Sequence, residues 1–151
     1  MRHWRDHGAE RRYHHGNLKE ALIEAARRFI AERGLGGFTI VEAAKLVGVT
    51  PAALYRHFRG REALVAEVAD RGFVQLGERL GRALRGQGSP LERFTRMGEA
   101  YLAFAEEEPG YYSAMFSPRG EEACGPGPPD QTPGDNAFEL LVKALSSTFP
   151  A

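Results

Sequence analysis

Tyr55, Arg56 and His57 set a phenol, a guanidinium and an imidazole in succession, three groups that hold phosphate oxygens through hydrogen bonds and charge. Just before them stand Ala52 and Ala53, whose small side chains let the start of a helix sit deep in the major groove of duplex DNA. To act together, these residues must share the outer face of one short helix and its exit. The surrounding run from Thr39 to Leu64, TIVEAAKLVGVTPAALYRHFRGREAL, supplies that frame. Thr39 followed three residues later by Glu42 is a capping box and predicts a helix from Ile40, with Ala43, Ala44 and Val47 on its packed side. Gly48 supplies a left-handed end, Val49 the apolar anchor of the turn, and Thr50 a cap for a second helix with Pro51 in its first position. Leu54 and Phe58, four residues apart, point inward and leave Ala52, Ala53, Tyr55, Arg56 and His57 outside. Capped helices meeting at a glycine also occur in proteins that bind no nucleic acid, so this pattern alone leaves both readings open.

Charge separates the two readings. Residues 1–61 carry 12 Lys/Arg against 6 Asp/Glu, whereas residues 62–151 carry 8 against 14, although the whole chain is neutral. All five histidines (His3, His7, His14, His15 and His57) also lie in the basic part. A basic unit joined to an acidic one is the footprint of a domain that faces phosphates beside one that does not. Ahead of the motif, Asn17 and Glu20 repeat the capping pattern. Leu18, Leu22, Ala25, Phe29 and Ile30 then follow at helical spacing until Gly34, predicting a third helix to cover the other two.

The organisation is therefore all-α: a basic flexible arm over residues 1–16, a three-helix unit over 17–61, and a helical region over 62–151. A connector helix is expected from about Glu62 through Leu84, with Leu64, Val68, Phe73, Leu76 and Leu80 inward and its end near Gly86 and Gly88. Ser89, Pro90 and Glu92 open the next helix, which Pro109 ends or kinks, and Tyr111, Tyr112, Met115 and Phe116 follow. Residues 117–136, SPRGEEACGPGPPDQTPGDN, read as a flexible loop, and Ala137 to about Thr148 as a last helix with Phe138, Leu141, Val142 and Leu145 on one face. Arg2, Arg5, Arg11 and Arg12 of the arm suit the minor groove or a merely solvated tail.

Nothing in the chain has the context of a catalytic site. There is no nucleophile and base in motif spacing, no glycine loop for phosphates, and the run Glu106 to Glu108 is a solvated helix end; an enzyme and a cofactor are not expected. His3 with His7, or His14 with His15, lack cysteine or carboxylate partners at ligand spacing, so no metal is expected. The single Cys124, with no signal peptide or long apolar run, fits a reduced cytoplasmic setting and no membrane.

The stretch from Tyr13 to Val68, YHHGNLKEALIEAARRFIAERGLGGFTIVEAAKLVGVTPAALYRHFRGREALVAEV, closely resembles the N-terminal domain of TetR-family transcriptional regulators. The stretch from Ala100 to Arg119, AYLAFAEEEPGYYSAMFSPR, resembles a subgroup whose ligand domain carries the pattern FA-x-x-x-P-x-x-Y-x-x-MF, and the opening YHHGNL is typical of it. The resemblance implies that Thr39 and its helix start hold phosphate, that Thr50, Pro51, Ala52 and Ala53 face base edges, and that Tyr55 and His57 grip the backbone. Arg56 joins them on charge. Arg61 stands where the family usually has a phosphate-contacting lysine, and a guanidinium is a different contact from an ammonium.

The resemblance further implies a repressor, nucleoid-associated when bound to double-stranded DNA and released from its operator by a small effector in the second, ligand and dimerisation domain. Phe94, Met97, Tyr101, Tyr112 and Met115 are the candidate pocket group; aromatic and methionine side chains line adaptable pockets and also fill cores. A homodimer reading a palindromic operator is the family expectation, but its two further dimer helices find no room in 151 residues. The alternative is a helical ligand- or partner-binding protein that has lost DNA regulation through truncation.

Overall fold

The computed structural model describes residues 17–117, 142 and 146–148, and its described elements are helices alone. In chain order these are α1 (Leu18–Arg33), α2 (Ile40–Val47), α3 (Pro51–Tyr55), α4 (Arg61–Arg85), α5 (Pro90–Glu107) and α6 (Pro109–Met115). The expected arm, the loop beyond Ser117 with Cys124, and most of the last helix lie outside the described residues.

Three local devices fold the motif as its residues predict. The capping box forms at α2: Glu42 N–H donates to Thr39 Oγ1 at 3.2 Å, and Thr39 N–H donates to Glu42 Oε2 at 2.8 Å. Gly48 adopts the left-handed conformation at φ 81°, which lets Val49 N–H return to the Ala44 carbonyl at 2.9 Å and turns the chain sharply. At α3, Thr50 Oγ1 accepts from Ala53 N–H at 3.3 Å with Pro51 in the first turn. Leu54 and Phe58 are then driven into the core.

The start of α1 differs from expectation. Asn17 makes no side-chain cap, and the Glu20 carboxylate pairs with Arg71 of α4 instead of reaching back to the helix start. An ion pair between helices has displaced a local capping hydrogen bond. It holds the Glu20 carboxyl below its usual range, the Arg71 hydrogen bond being the main cause.

Leu18, Leu22, Ala26 and Ile30 of α1, Leu64, Val68, Leu76 and Leu80 of α4, and Phe104, Ala114 and Met115 further on form one continuous core. α4 is 25 residues long, about 37 Å at the standard helical rise. Of its expected inward positions, Phe73 is only half-buried, while Ala69 and Gly72 are buried. The reason is close approach: a Cβ on Gly72 would lie 2.5 Å from Met115 Sδ, so α6 seats on a glycine and Phe73 is turned to the flank.

α5 opens with the expected capping box between Ser89 and Glu92. Pro109 starts α6 rather than merely kinking α5. Ser117 corrects the expected loop start, because it is buried and its Oγ–H donates to the Ala114 carbonyl at 3.0 Å, closing α6.

Candidate nucleic-acid interface

Thr50, Pro51 and Ala52 are exposed at the start of α3 while Leu54 is wholly buried beneath them. Because α3 has five residues, Arg56 and His57 fall beyond its end, in a turn closed by His57 N–H donating to the Leu54 carbonyl at 2.9 Å. Tyr55, Arg56 and His57 are all exposed, Tyr55 at 55%. Ala53, expected outside, is half-buried and packs on the core, so the outward face narrows to Thr50, Pro51 and Ala52.

Thr39 spends its side chain internally: its hydroxyl accepts from Glu42 N–H and donates to Glu42 Oε2 at 3.2 Å. An anion at this helix start would therefore meet the first backbone N–H groups, those of Ile40 and Val41, rather than the threonine oxygen. The Glu42 carboxyl lies below its usual range, chiefly through the Thr39 backbone N–H and then through Arg33, whose Nη1 stands 3.0 Å away. Thr50 differs, since its oxygen only accepts from Ala53 N–H and its hydroxyl proton is left for an outside acceptor.

Arg61 is half-buried, and its side chain is engaged within the fold. Its Nε donates to the Phe38 carbonyl at 3.1 Å, its guanidinium lies 4.8 Å from the Phe38 ring centroid, and Nη2 is buried with no hydrogen-bond partner. Arg59, two residues earlier, is exposed on the same corner. Phe38 was open to discovery from its place directly before the cap Thr39, where an apolar residue commonly packs back on its helix. Arg59 carried no comparable signal.

The five candidate effector residues divide. Tyr101 and Tyr112 come together, with ring centroids 6.2 Å apart and hydroxyls 3.4 Å apart. Burial, and then the bond to Tyr112, push the Tyr101 phenol up to about 12. Met97 and Met115 are buried, Met115 at the α4–α6 contact, and Phe94 is half-buried on α5. Two rings outside that group extend the pair: Phe116 lies 4.8 Å from Tyr112, and Phe73 lies 6.2 Å from Phe116. Among the described residues no cluster of three or more His, Cys, Asp or Glu could hold a metal, and no helix is long and apolar enough to cross a membrane.

Helices joined by a left-handed glycine, with an exposed small-residue start and a basic exit, define a helix-turn-helix protein of all-α build. A sequence model described as "Bacterial regulatory proteins, tetR family" matches residues 22–68, and one described as "Tetracyclin repressor-like, C-terminal domain" matches residues 94–151. The chain belongs to the TetR family. It is 30% identical over 104 residues to the uncharacterized HTH-type transcriptional regulator YobS of Bacillus subtilis (strain 168), covering 67% of this chain and 52% of that protein. It is 32% identical over 95 residues to the nucleoid occlusion factor SlmA of Vibrio campbellii, covering 62% and 48%.

The chain thus spans about half the length of the curated relatives it matches. Among solved structures, a protein with unknown function from Rhodococcus sp. RHA1 superposes with a TM-score of 0.71 at 29% identity, covering 89% of this chain and 69% of that one. The ketosteroid transcriptional regulator KstR2 of Mycobacterium tuberculosis shares the fold, with a TM-score of 0.61 at 24% identity over 86% of this chain and 67% of that one.

Proposed function

We propose that the chain is a DNA-binding transcriptional regulator, with residues 17–61 reading double-stranded DNA and residues 62–151 acting as its effector-binding part. The observation that carries this is the exposed face of the motif: Thr50, Pro51 and Ala52 at one end of α3 and Tyr55, Arg56 and His57 at the other, on a helix anchored by Leu54. With no hydrogen-bonding groups on Pro51 and Ala52, direct readout rests on thymine methyl contacts and Thr50, and DNA shape supplies further specificity. Tyr55, Arg56, His57 and the first turn of α2 position the protein on phosphates.

The layout of α6 supports repression relieved by a small effector. Tyr112 packs against the Tyr101 and Phe116 rings, while Gly110, Tyr111, Ala114 and Met115 are buried; Met97 belongs to the same core and Phe94 packs on it. At the start of α6, Glu108 lies 3.5 Å from Arg27 of α1 and 3.7 Å from Arg79 of α4. A ligand that displaces Tyr112 therefore pushes on the helix that touches the DNA-reading unit. The chemistry is recognition, not catalysis, and it belongs in the cytoplasm; a homodimer would read a palindromic operator.

The test is binding of the purified chain to a labelled duplex from upstream of its own gene and to a scrambled duplex, as salt is raised. Preference for the first, weakened by salt and by the double substitution Tyr55→Ala and His57→Ala, is the expected result. Equal affinity for both duplexes at low salt would instead mark a helical ligand- or partner-binding protein.

A further inference from the structure

We propose that Arg61 is a positioning residue for the start of α2 rather than a phosphate contact, an inference that rests on the DNA-binding function proposed above. Six residues carry it: five form a closed circuit, and Arg61 is docked on it at Phe38. The Arg61 guanidinium lies over the Phe38 ring at 4.8 Å, and Phe38 stacks on Phe29 with centroids 5.7 Å apart and planes inclined by 10°. The Arg33 guanidinium lies over the Phe29 ring, 4.9 Å from its centroid. Arg33 Nη1 then donates to Glu42 Oε1 at 3.0 Å, and Glu42 Oε2 accepts from the Thr39 backbone N–H at 2.8 Å. Thr39 is bonded to Phe38, and the circuit is complete.

Each link acts on where α2 begins. Arg61 opens α4, Phe29 and Arg33 belong to the last turns of α1, and Phe38 and Thr39 are the residues that lead into α2. The bond from Arg61 Nε to the Phe38 carbonyl fixes the backbone one residue before the cap. The N–H groups of Ile40 and Val41 are thereby aimed by the first residue of the connector helix. Charge alone cannot do this. It needs a planar cation that stacks on a ring and donates from Nε at once, which lysine does not provide. The burial of Nη2 means that this nitrogen is turned inward, away from any phosphate. Arg59, exposed on the same corner, is the cation available for DNA there.

The experiment compares Arg61→Lys, Arg61→Gln and Arg59→Gln for affinity to the upstream duplex over a salt series, with thermal melts showing each variant folded. Both Arg61 variants are expected to weaken binding about tenfold. Neither should change the slope of log affinity against log salt, whereas Arg59→Gln should lower it by about one. In a Thr39→Ala background, which already loosens the same helix start, Arg61→Gln should lose most of its effect. A general loss of stability would not produce that coupling.

A salt slope lowered by about one in Arg61→Gln, or full affinity in Arg61→Lys, or losses that add to Thr39→Ala, would overturn the proposal. Amide exchange at Thr39 and Glu42, whose N–H groups are the ones hydrogen-bonded in the cap, gives a readout in the DNA-free chain independent of DNA, expected to quicken in Arg61→Lys. If wild-type protein binds neither duplex, the proposed function fails, and unchanged exchange in Arg61→Lys would remove the positioning role as well.

Discussion

Gly110 of α6 lies so near Arg27 of α1 that a Cβ on the glycine would stand 2.3 Å from the Arg27 carbonyl oxygen. Backbone meets backbone there, and neither side can rotate away. Gly110→Ala should therefore separate α1 from α6 at a cost of about 3 kcal/mol, the upper part of the overpacking range. The helix propensity gained by losing glycine, about 1 kcal/mol, is the smaller effect. Denaturant unfolding measures the net change; a stabilised variant would refute the close contact.

Gly72 meets a softer neighbour. A Cβ there would lie 2.5 Å from Met115 Sδ, but methionine is flexible, so Gly72→Ala should cost about 1–2 kcal/mol. Met115→Ala alone should cost about 2–5 kcal/mol by leaving a cavity between α4 and α6. Combined, the two should be less damaging than their sum, because the alanine methyl enters the space that the methionine leaves. Strict additivity in unfolding experiments would contradict the packing.

Acid should unfold the chain partly through its helix caps and its α1–α4 ion pair. Glu42 and Glu92, each held chiefly by a backbone N–H of its capping box, and Glu20, held by Arg71, all have carboxyls below their usual range. Their contribution is complete above the ordinary carboxylate range and is lost as pH falls through the depressed values. Asp70 has the opposite sign: burial first, and Glu67 second, raise its carboxyl, so its charge opposes folding at neutral pH. Asp70→Asn should raise the melting temperature at neutral pH and lose that advantage in acid. A variant melting lower than wild type at neutral pH would contradict the sign.

The motif was legible wherever one residue type dictates one local geometry. Thr39 with Glu42, Gly48, Thr50 with Pro51, and Ser89 with Glu92 each act within a few residues of themselves, and each does in the fold what its spacing implies. Legibility ended where the partner is distant in sequence. Glu20 had two possible roles and took Arg71, 51 positions away. Phe73 sits at a core spacing, yet the thickness of Gly72 against Met115 decides which neighbour is buried. Arg61 has the charge of a phosphate contact, and only the ring of Phe38, 23 positions earlier, reveals its other use. Composition and period carry no record of such pairings.

The exposure of Ala52 has a consequence for how such a protein can diversify. The geometry of α3 comes from Thr50, Pro51 and the buried Leu54, none of which needs a particular side chain at position 52. Asparagine, glutamine or arginine could therefore be exchanged there with little effect on folding, since surface substitutions usually change stability by less than about 0.5 kcal/mol. Each would bring a different base-edge hydrogen-bonding pattern to the same scaffold. Selection, or a designer, can revise the vocabulary of this helix one letter at a time while the molecule that carries it stays as it is.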